Sequence, residues 1–138
     1  MVIFSAAKIS NQAVVDGEIV EFTDVVTNIG NAYSSATSTF TCPYSGMYVF
    51  RYHMMSISNI CGVRLNKDSN PLFGAYSSEV SAIWLSSSNS MYVECDEGSE
   101  ITVRAYKSGS CHGETNELSS FSGQFLGFTS RNMLTMVN

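Results

Sequence analysis

Short β-type segments separated by turn residues run through most of this chain and limit what it can fold into. They recur at a spacing of about ten residues, and the turns between them are rich in Gly, Pro, Asn and Asp. The clearest segments are Gly46–Met55, Cys61–Leu65, Ala82–Leu85, Met91–Cys95, Ile101–Tyr106 and Phe121–Phe128. No stretch repeats the apolar spacing of a long amphipathic helix. We therefore expect an all-β sandwich, jelly roll or barrel.

The segment from Gly46 to Met55 alternates most clearly. One set of positions carries Tyr48, Phe50, Tyr52 and Met54, and the other carries Met47, Val49, Arg51 and His53. Because successive strand residues point to opposite faces of a sheet, the two sets occupy opposite faces of one strand. Aromatic rings supply the large apolar area that fills a thick sandwich core.

The composition favours one secreted binding domain over a nucleic-acid or membrane protein. The chain has 138 residues, the length of one ordinary domain, and only 14% of them are charged. Low charge with many Ser, Thr and Tyr is typical of extracellular β proteins, so we expect a single secreted domain over residues 1–138. A net charge of −5 with seven scattered Lys and Arg residues argues against nucleic acid. No apolar run approaches the roughly 20 residues that span a bilayer.

A series of spaced residues from Phe22 to Tyr52 narrows the fold further. Its members are Phe22, Asn28, Tyr33, Phe40, Gly46, Tyr48, Phe50 and Tyr52, and the later segment 119–126 adds Phe121 and Gly123. At these positions and spacings the chain resembles the globular domain of complement C1q, over about residues 4–128. Residues 129–138 are then a C-terminal tail. The resemblance implies a ten-stranded jelly roll of two sheets, shared with the tumour necrosis factor ligands, and a tight homotrimer.

Most of these motif residues have scaffold roles on physical grounds. We expect Gly46 to permit a positive φ where the chain reverses, and the Asn28 side chain to bond the backbone of a turn. In the trimer that the resemblance implies, one sheet of each protomer faces its neighbours. We assign Met47, Val49, Arg51 and His53 to that contact, and Tyr48, Phe50 and Tyr52 to the protomer's own core.

Four cysteines in a secreted chain predict disulfides, with three connectivities open. The predicted strand order places Cys42 and Cys95 at one end of the sandwich, and Cys61 and Cys111 at the other. We therefore prefer Cys61–Cys111, with Cys42–Cys95 as a weaker second pair and a free, buried Cys42 as the alternative. In the family that the chain resembles, the usual partner of Cys61 lies in the region 72–78, where this chain has no cysteine. The lack of any Cys-x2-Cys pair argues against a zinc site.

We expect neither catalysis nor a cofactor. A hydrolytic site needs a nucleophile, a histidine and an orienting acid, and the chain has only His53 and His112. The strand motif already explains His53 as a packing or interface residue, and His112 lies in a polar loop. The sequence has no Gly-x-Ser-x-Gly, phosphate-loop or His-Glu-x-x-His motif.

One acidic turn has the carboxylates that a calcium site requires: Glu94, Asp96, Glu97 and Glu100. We interpret them as a solvated charged turn. In the family, calcium is held mainly by acidic residues in the loop that here spans 74–79, and this loop has one carboxylate, Glu79. Calcium binding is therefore the weaker alternative.

The candidate ligand site consists of Arg104, Tyr106, Lys107, His112 and Glu114. Arg104 and Tyr106 point outward if the alternate residues of the segment 101–106 face the core. Such a mixed charged and aromatic group can hold sugar hydroxyls or an anionic headgroup by hydrogen bonds and stacking. Ordinary protein surface is the alternative interpretation.

We expect a trimeric recognition protein of innate immunity that binds microbial glycans or lipopolysaccharide through avidity. The alternative is a cytokine-like or adipokine-like trimer that binds a protein receptor on cells. A third interpretation is a structural component that sets trimer registration for a longer chain. The acidic balance favours neutral sugars over the phosphates of lipopolysaccharide.

Overall fold

A computed structural model of the chain describes residues 1–57, 59–77, 83–114 and 119–129. These residues form twelve strands: β1 (Ile3–Lys8), β2 (Gln12–Val14), β3 (Asp24–Ile29), β4 (Tyr33–Ser34), β5 (Thr39–Thr41), β6 (Gly46–Ile57), β7 (Cys61–Lys67), β8 (Asn70–Ser77), β9 (Trp84–Cys95), β10 (Glu100–Ala105), β11 (Gly109–Cys111) and β12 (Ser119–Gly127). Within the same ranges, no helix is long and apolar enough to cross a membrane. The expected C-terminal tail lies outside the described residues, except for Thr129.

Ten of the strands form two five-stranded sheets. Sheet I has the order β3-β1-β12-β6-β9, and sheet II has the order β4-β5-β10-β7-β8. The expected all-β jelly roll is confirmed, but the strand count is twelve rather than ten. The difference arises because β2 and β11, of three residues each, pair with each other outside the two sheets.

The core is built from aromatic rings contributed by both sheets. The Phe4 ring stacks on the rings of Tyr33 and Phe40, with centroids 4.7 and 5.0 Å apart. The edge of Phe121 meets Phe4 at a centroid distance of 4.9 Å. The buried aromatic residues of the motif are Phe22, Tyr33, Phe40, Tyr48, Phe50, Tyr52 and Phe121. The spaced aromatic residues of the sequence therefore share one packed cluster, in the edge-to-face and offset arrangements that rings prefer.

Gly46 is required for a close approach between strands rather than for its backbone angle. It is not among the glycines with positive φ, so the expected positive φ is wrong. A Cβ at position 46 would lie 2.5 Å from the carbonyl oxygen of Gly127 and 2.8 Å from the Phe125 ring. The close passage of β12 therefore leaves no room for a side chain at the start of β6.

The Asn28 side chain both donates and accepts a hydrogen bond at the turn between β3 and β4. Its Nδ2 donates to the carbonyl oxygen of Tyr33 at 2.9 Å, and its Oδ1 accepts from the Tyr33 N–H at 3.2 Å. Gly30 and Asn31, within this turn, have φ values of 91° and 53°. The Asn28 side chain thus satisfies backbone groups at a turn where positive φ values interrupt the strand conformation.

Cys61 and Cys111 form a disulfide with Cα atoms 5.0 Å apart, the pairing that the sequence favours. Cys42 and Cys95 are free and buried, so the predicted second disulfide is not formed. A hydrogen bond to Cys95, together with burial, raises the pKa of Cys42. The same hydrogen bond lowers the pKa of Cys95, so within this pair Cys95 is the thiol that ionises more readily.

Candidate ligand-binding site

The outer face of sheet II carries the first part of the candidate site. Along β10, the side chains of Ile101, Val103 and Ala105 are at most 2% exposed and lie in the core. Arg104 alternates with them and is partly exposed, and Tyr106 follows just beyond the strand. Both therefore lie on the face of sheet II that points away from sheet I.

The strand register adds two residues that the sequence did not single out. Arg64 of β7 is the Cα partner of Arg104, and Gly62 is the partner of Tyr76 on β8. The N–H of Tyr106 donates to the carbonyl oxygen of Gly62 at 3.1 Å. We call Arg64, Tyr76, Arg104, Tyr106 and Lys107 the tyrosine–cation patch.

In this patch, two cations lie over tyrosine rings. The Arg64 guanidinium carbon is 4.9 Å from the ring centroid of Tyr106. The Lys107 ammonium nitrogen is 5.3 Å from the ring centroid of Tyr76. The two ring centroids are 6.3 Å apart. Both cation distances fall in the range of cation–π attraction.

A surface cavity of about 370 Å³ opens at this patch, lined by Arg64, Leu72, Gly74 and Tyr106. Gly74 lines this cavity directly, and a Cβ at Gly62 would lie 3.1 Å from atoms of both tyrosine rings of the patch. The rings can therefore lie close over β7 only because position 62 has no side chain. Glycine within a strand is a signal for such close approach, and Gly62 and Gly74 are the sequence clue to the missed residues.

His112 and Glu114, the other predicted ligand residues, lie in a different setting. His112 makes a backbone bridge with Met55 of β6 in sheet I. Its ring packs edge-on against the Trp84 ring, with centroids 4.9 Å apart. Its Nε2 is 3.5 Å from a carboxylate oxygen of Glu114. The predicted five-residue site is therefore split into two groups, with Arg104, Tyr106 and Lys107 in one and His112 and Glu114 in the other. The split arises because residues 109–111 pair with β2 and His112 bridges to β6.

The outer face of sheet I carries one largely apolar row beside rows rich in hydroxyl groups. One row of paired residues crosses all five strands, from Ile29 through Ile3, Gln124 and Val49 to Tyr92. Tyr92 is 72% exposed and Ile29 is 50% exposed. In a single protomer this face has no second layer over it, whereas sheet II covers the opposite face.

The four residues that the sequence assigned to a trimer contact all lie on this face, where Arg51 and His53 are exposed, Met47 is half-buried and Val49 is only 4% exposed. Met47, Val49, Arg51 and His53 alternate along β6 with side chains that are at most 1% exposed. Arg51 pairs with Ser122 and Ser90, and His53 pairs with Ser120 and Ser88. The face therefore combines one apolar row with two rows rich in hydroxyl groups.

The acidic turn does not gather its carboxylates around one point. The Asp68 carboxylate accepts a hydrogen bond from the Glu100 N–H at 2.9 Å, and the Glu97 N–H donates to the Ser45 hydroxyl at 2.8 Å. In the part of the chain that the structure describes, no three His, Cys, Asp or Glu residues are placed to hold a metal ion. Glu79 lies outside the described residues.

Comparison with known proteins gives matches over most of the chain. The family model of the C1q domain matches residues 3–126. Complement C1q tumor necrosis factor-related protein 3 of Homo sapiens is 34% identical over 107 residues, which cover 76% of this chain and 43% of that protein. The chain therefore spans less than half the length of this relative.

Two solved structures are similar to this fold. The globular domain of zebrafish complement 1qA protein has a TM-score of 0.76 at 17% identity, covering 94% of this chain and all of the other. Eiger TNF from S. frugiperda has a TM-score of 0.77 at 10% identity, covering 94% of each chain. At these identities the likeness concerns the fold alone.

The family match covers the same part of the chain as the structural core. The ring cluster, the Asn28 turn and the close approach at Gly46 all fall within residues 3–126, which the family model matches. The spaced motif residues belong to successive strands and turns of the two sheets. The chain belongs to the C1q domain family, whose members are non-enzymatic recognition and ligand proteins.

Proposed function

We propose that this domain is a secreted, trimeric recognition module of innate immunity that binds microbial glycans or lipopolysaccharide through avidity. The observation that carries the proposal is the difference in surface chemistry between the outer faces of the two sheets. Sheet I presents a largely apolar row whose end residues, Ile29 and Tyr92, are exposed, and sheet II presents cations and tyrosine rings on the opposite side of the sandwich. One face is suited to self-assembly and the other to a ligand.

The assembly would use the outer face of sheet I, with Met47, Val49, Arg51 and His53 at the contact. Tyr92 and Ile29 extend the apolar part of this face on the flanking strands. Exposed apolar side chains grouped on one face are a feature of interaction sites in folded proteins. Family membership supports three-fold assembly, because the resemblance to C1q heads implies a trimer.

The ligand would bind at the tyrosine–cation patch, which contains the predicted residues Arg104, Tyr106 and Lys107. A trimer joined through sheet I would carry three such patches on its outer surface. Three weak sites that engage one repetitive surface together bind far more tightly than one site alone. His112 and Glu114, beside Trp84, would be a second contact at the edge of sheet I.

Light scattering tests the assembly first, in calcium and again in chelator. Three chains of 15.0 kDa give a trimer of about 45 kDa, which we expect in both conditions. The trimer is then applied to a glycan array and to immobilised lipopolysaccharide. A 15.0 kDa monomer, or a trimer that binds no glycan, would contradict the proposal.

The similarity to complement C1q tumor necrosis factor-related protein 3 favours a second candidate function, a cytokine-like trimer that binds a protein receptor on cells. In that case the trimer would capture a membrane protein from detergent-solubilised cells. The captured protein would then bind the purified trimer directly, and free glycans would not compete with it.

A further inference from the structure

Positive charge is concentrated on the outer face of sheet II, although the chain as a whole has a net charge of −5. Three of its seven Lys and Arg residues, namely Arg64, Arg104 and Lys107, belong to the tyrosine–cation patch. Within the described residues, neither Arg64 nor Lys107 forms an ion pair. This surface is therefore locally positive, whereas the chain as a whole is negatively charged.

The way in which these cations are held leaves their hydrogen-bond donors available. Arg64 rests on the Tyr106 ring and Lys107 on the Tyr76 ring, and neither rests on a carboxylate. A ring face orients a cation without neutralising it. Guanidinium and ammonium groups have only donors, five and three respectively, and such donors bond most strongly to oxyanions.

The cavity that Arg64 and Tyr106 line has room for one sugar unit. Its volume of about 370 Å³ lies at the lower end of the range for small-ligand sites, about 300–1,000 Å³. Tyr76 is 44% exposed, so part of its side chain is available to a ligand. A tyrosine that presents both a ring and a hydroxyl can contact the apolar and the polar side of a sugar.

Arg104 forms the border of the patch rather than its centre. Its Nη1 donates to the carbonyl oxygen of Gly17 at 3.0 Å. It also lines a neighbouring cavity together with Asp68 and Glu100. Those two carboxylates would repel an anion, so the favourable position for a negative group lies on the side of Arg64 and Lys107.

We infer that the tyrosine–cation patch selects anionic sugars, with a phosphate, sulfate or carboxylate group bound between Arg64 and Lys107 and the sugar ring against Tyr76 and Tyr106. This inference deepens the proposed function and rests on it. It reverses the preference for neutral sugars that the overall charge predicts. The acidic remainder of the surface then discourages non-specific binding of polyanions away from the patch.

The test measures binding of the trimer by biolayer interferometry to three immobilised probes: lipopolysaccharide for phosphate, heparin for sulfate and mannan as the neutral glycan. We expect binding to one or both anionic probes and none to mannan. Binding should weaken severalfold between about 50 and about 300 mM NaCl, because salt screens exposed charges. Comparison of lipopolysaccharide with heparin identifies which anion the patch accepts.

The variants separate the patch from general electrostatics. The double substitution Arg64→Gln with Lys107→Gln should weaken anionic binding at least about tenfold, since it removes two charge-assisted contacts. The control Lys67→Gln removes a cation from the same sheet outside the patch, where its Nζ bonds only the carbonyl oxygen of Glu94 among described partners. This control should stay within about twofold of the parent, because Lys67 is not one of the two cations that lie over the tyrosine rings. Circular dichroism and light scattering confirm that each variant stays folded and trimeric.

Two results would overturn the inference and leave the proposed function standing. The first is a trimer that binds mannan and neither anionic probe. The second is anionic binding that Lys67→Gln weakens as much as the double substitution does. A trimer that binds none of the three probes would overturn both the inference and the proposed function.

Discussion

The phenol of Tyr33 donates a hydrogen bond to the backbone carbonyl oxygen of Phe22 at 2.6 Å, inside the ring cluster of the core. Tyr33 is only 4% exposed. Burial raises the pKa of Tyr33 to about 12, against an ordinary value of 10.0. Burial likewise raises the pKa values of Tyr48 and Tyr52. Ionisation of these phenols is therefore coupled to unfolding.

We expect the domain to lose stability as the pH rises from about 10 to about 12. In this window the unfolded chain releases a proton from Tyr33 that the folded chain keeps, so the free energy of unfolding falls. Absorbance at 295 nm, recorded together with circular dichroism, measures both events. Ionisation of all seven tyrosines in a protein that stays folded would contradict this expectation.

Replacement of Tyr33 by Phe tests the same contact at neutral pH. It leaves the carbonyl oxygen of Phe22 without its bond from the Tyr33 phenol, which should cost about 1–3 kcal/mol of unfolding free energy. It should also flatten the loss of stability above about pH 10, because one buried phenol is gone. Urea denaturation at neutral and alkaline pH measures both effects. An unchanged midpoint would show that the bond contributes nothing.

The reduced state of Cys42 and Cys95 predicts a definite thiol count. Without reductant, Ellman's reagent should find two thiols per chain in denaturant, because Cys61 and Cys111 are joined. In the native protein both thiols should react slowly, since each is at most 1% exposed. No thiols in denaturant would mean that a second disulfide exists, and four would mean that the first does not.

Tyr92 offers a test of assembly that spares the protomer. At 72% exposure its side chain contributes little to the core, so Tyr92→Glu should leave the melting temperature of the protomer nearly unchanged. A charge in the apolar row should nevertheless convert a trimer of about 45 kDa into chains of 15.0 kDa. The matched control is Val15→Glu, in the loop after β2, where the side chain is 56% exposed and lies outside both sheets. Equal effects of the two substitutions would argue against sheet I as the contact.

Gly62 offers a test of the patch that leaves the net charge unchanged. An alanine at this position would press on both tyrosine rings, so Gly62→Ala should weaken ligand binding severalfold with little loss of stability. Gly74→Ala makes a useful contrast. Its Cβ would lie 2.9 Å from the backbone carbonyl oxygen of Val63, so this variant should lose stability. Tight binding by Gly62→Ala would show that the ring positions do not matter.

The faces of individual strands were predictable, but contacts between strands were not. Alternation along β6 and β10 has a period of two, which divides core from surface without knowledge of the fold. The pairing of Arg64 with Arg104 depends on register, and a bulge between Arg64 and Asn66 shifts the register with β8. A bulge adds a residue to one strand of a pair only, so the alternation of a single strand does not reveal the shift. For this reason Arg104 and Tyr106 were predicted as site residues, whereas Arg64 and Tyr76 were not.

The remaining differences have equally local causes. Strand β9 reads as two segments in the sequence because its middle, Ser86–Ser90, has no apolar residue to mark it. A glycine such as Gly46 can serve either a positive φ or a close approach, and only the position of β12 distinguishes the two. Strand order placed Cys42 and Cys95 at the same end of the sandwich, but it does not determine whether two neighbouring thiols are oxidised.

The pairing of β1 with β12 has a consequence for biosynthesis. Ile3 lies opposite Gln124, so β1 cannot pair with β12 until nearly the whole domain has been synthesised. At about 5–20 residues per second, this delay on the ribosome is on the order of ten seconds. During that time β1 and β6 have no partner on the sides that β12 will occupy, and unpaired strand edges attract other chains. A ribosome that stalls before Ser119 should therefore leave an aggregation-prone product rather than a smaller folded head.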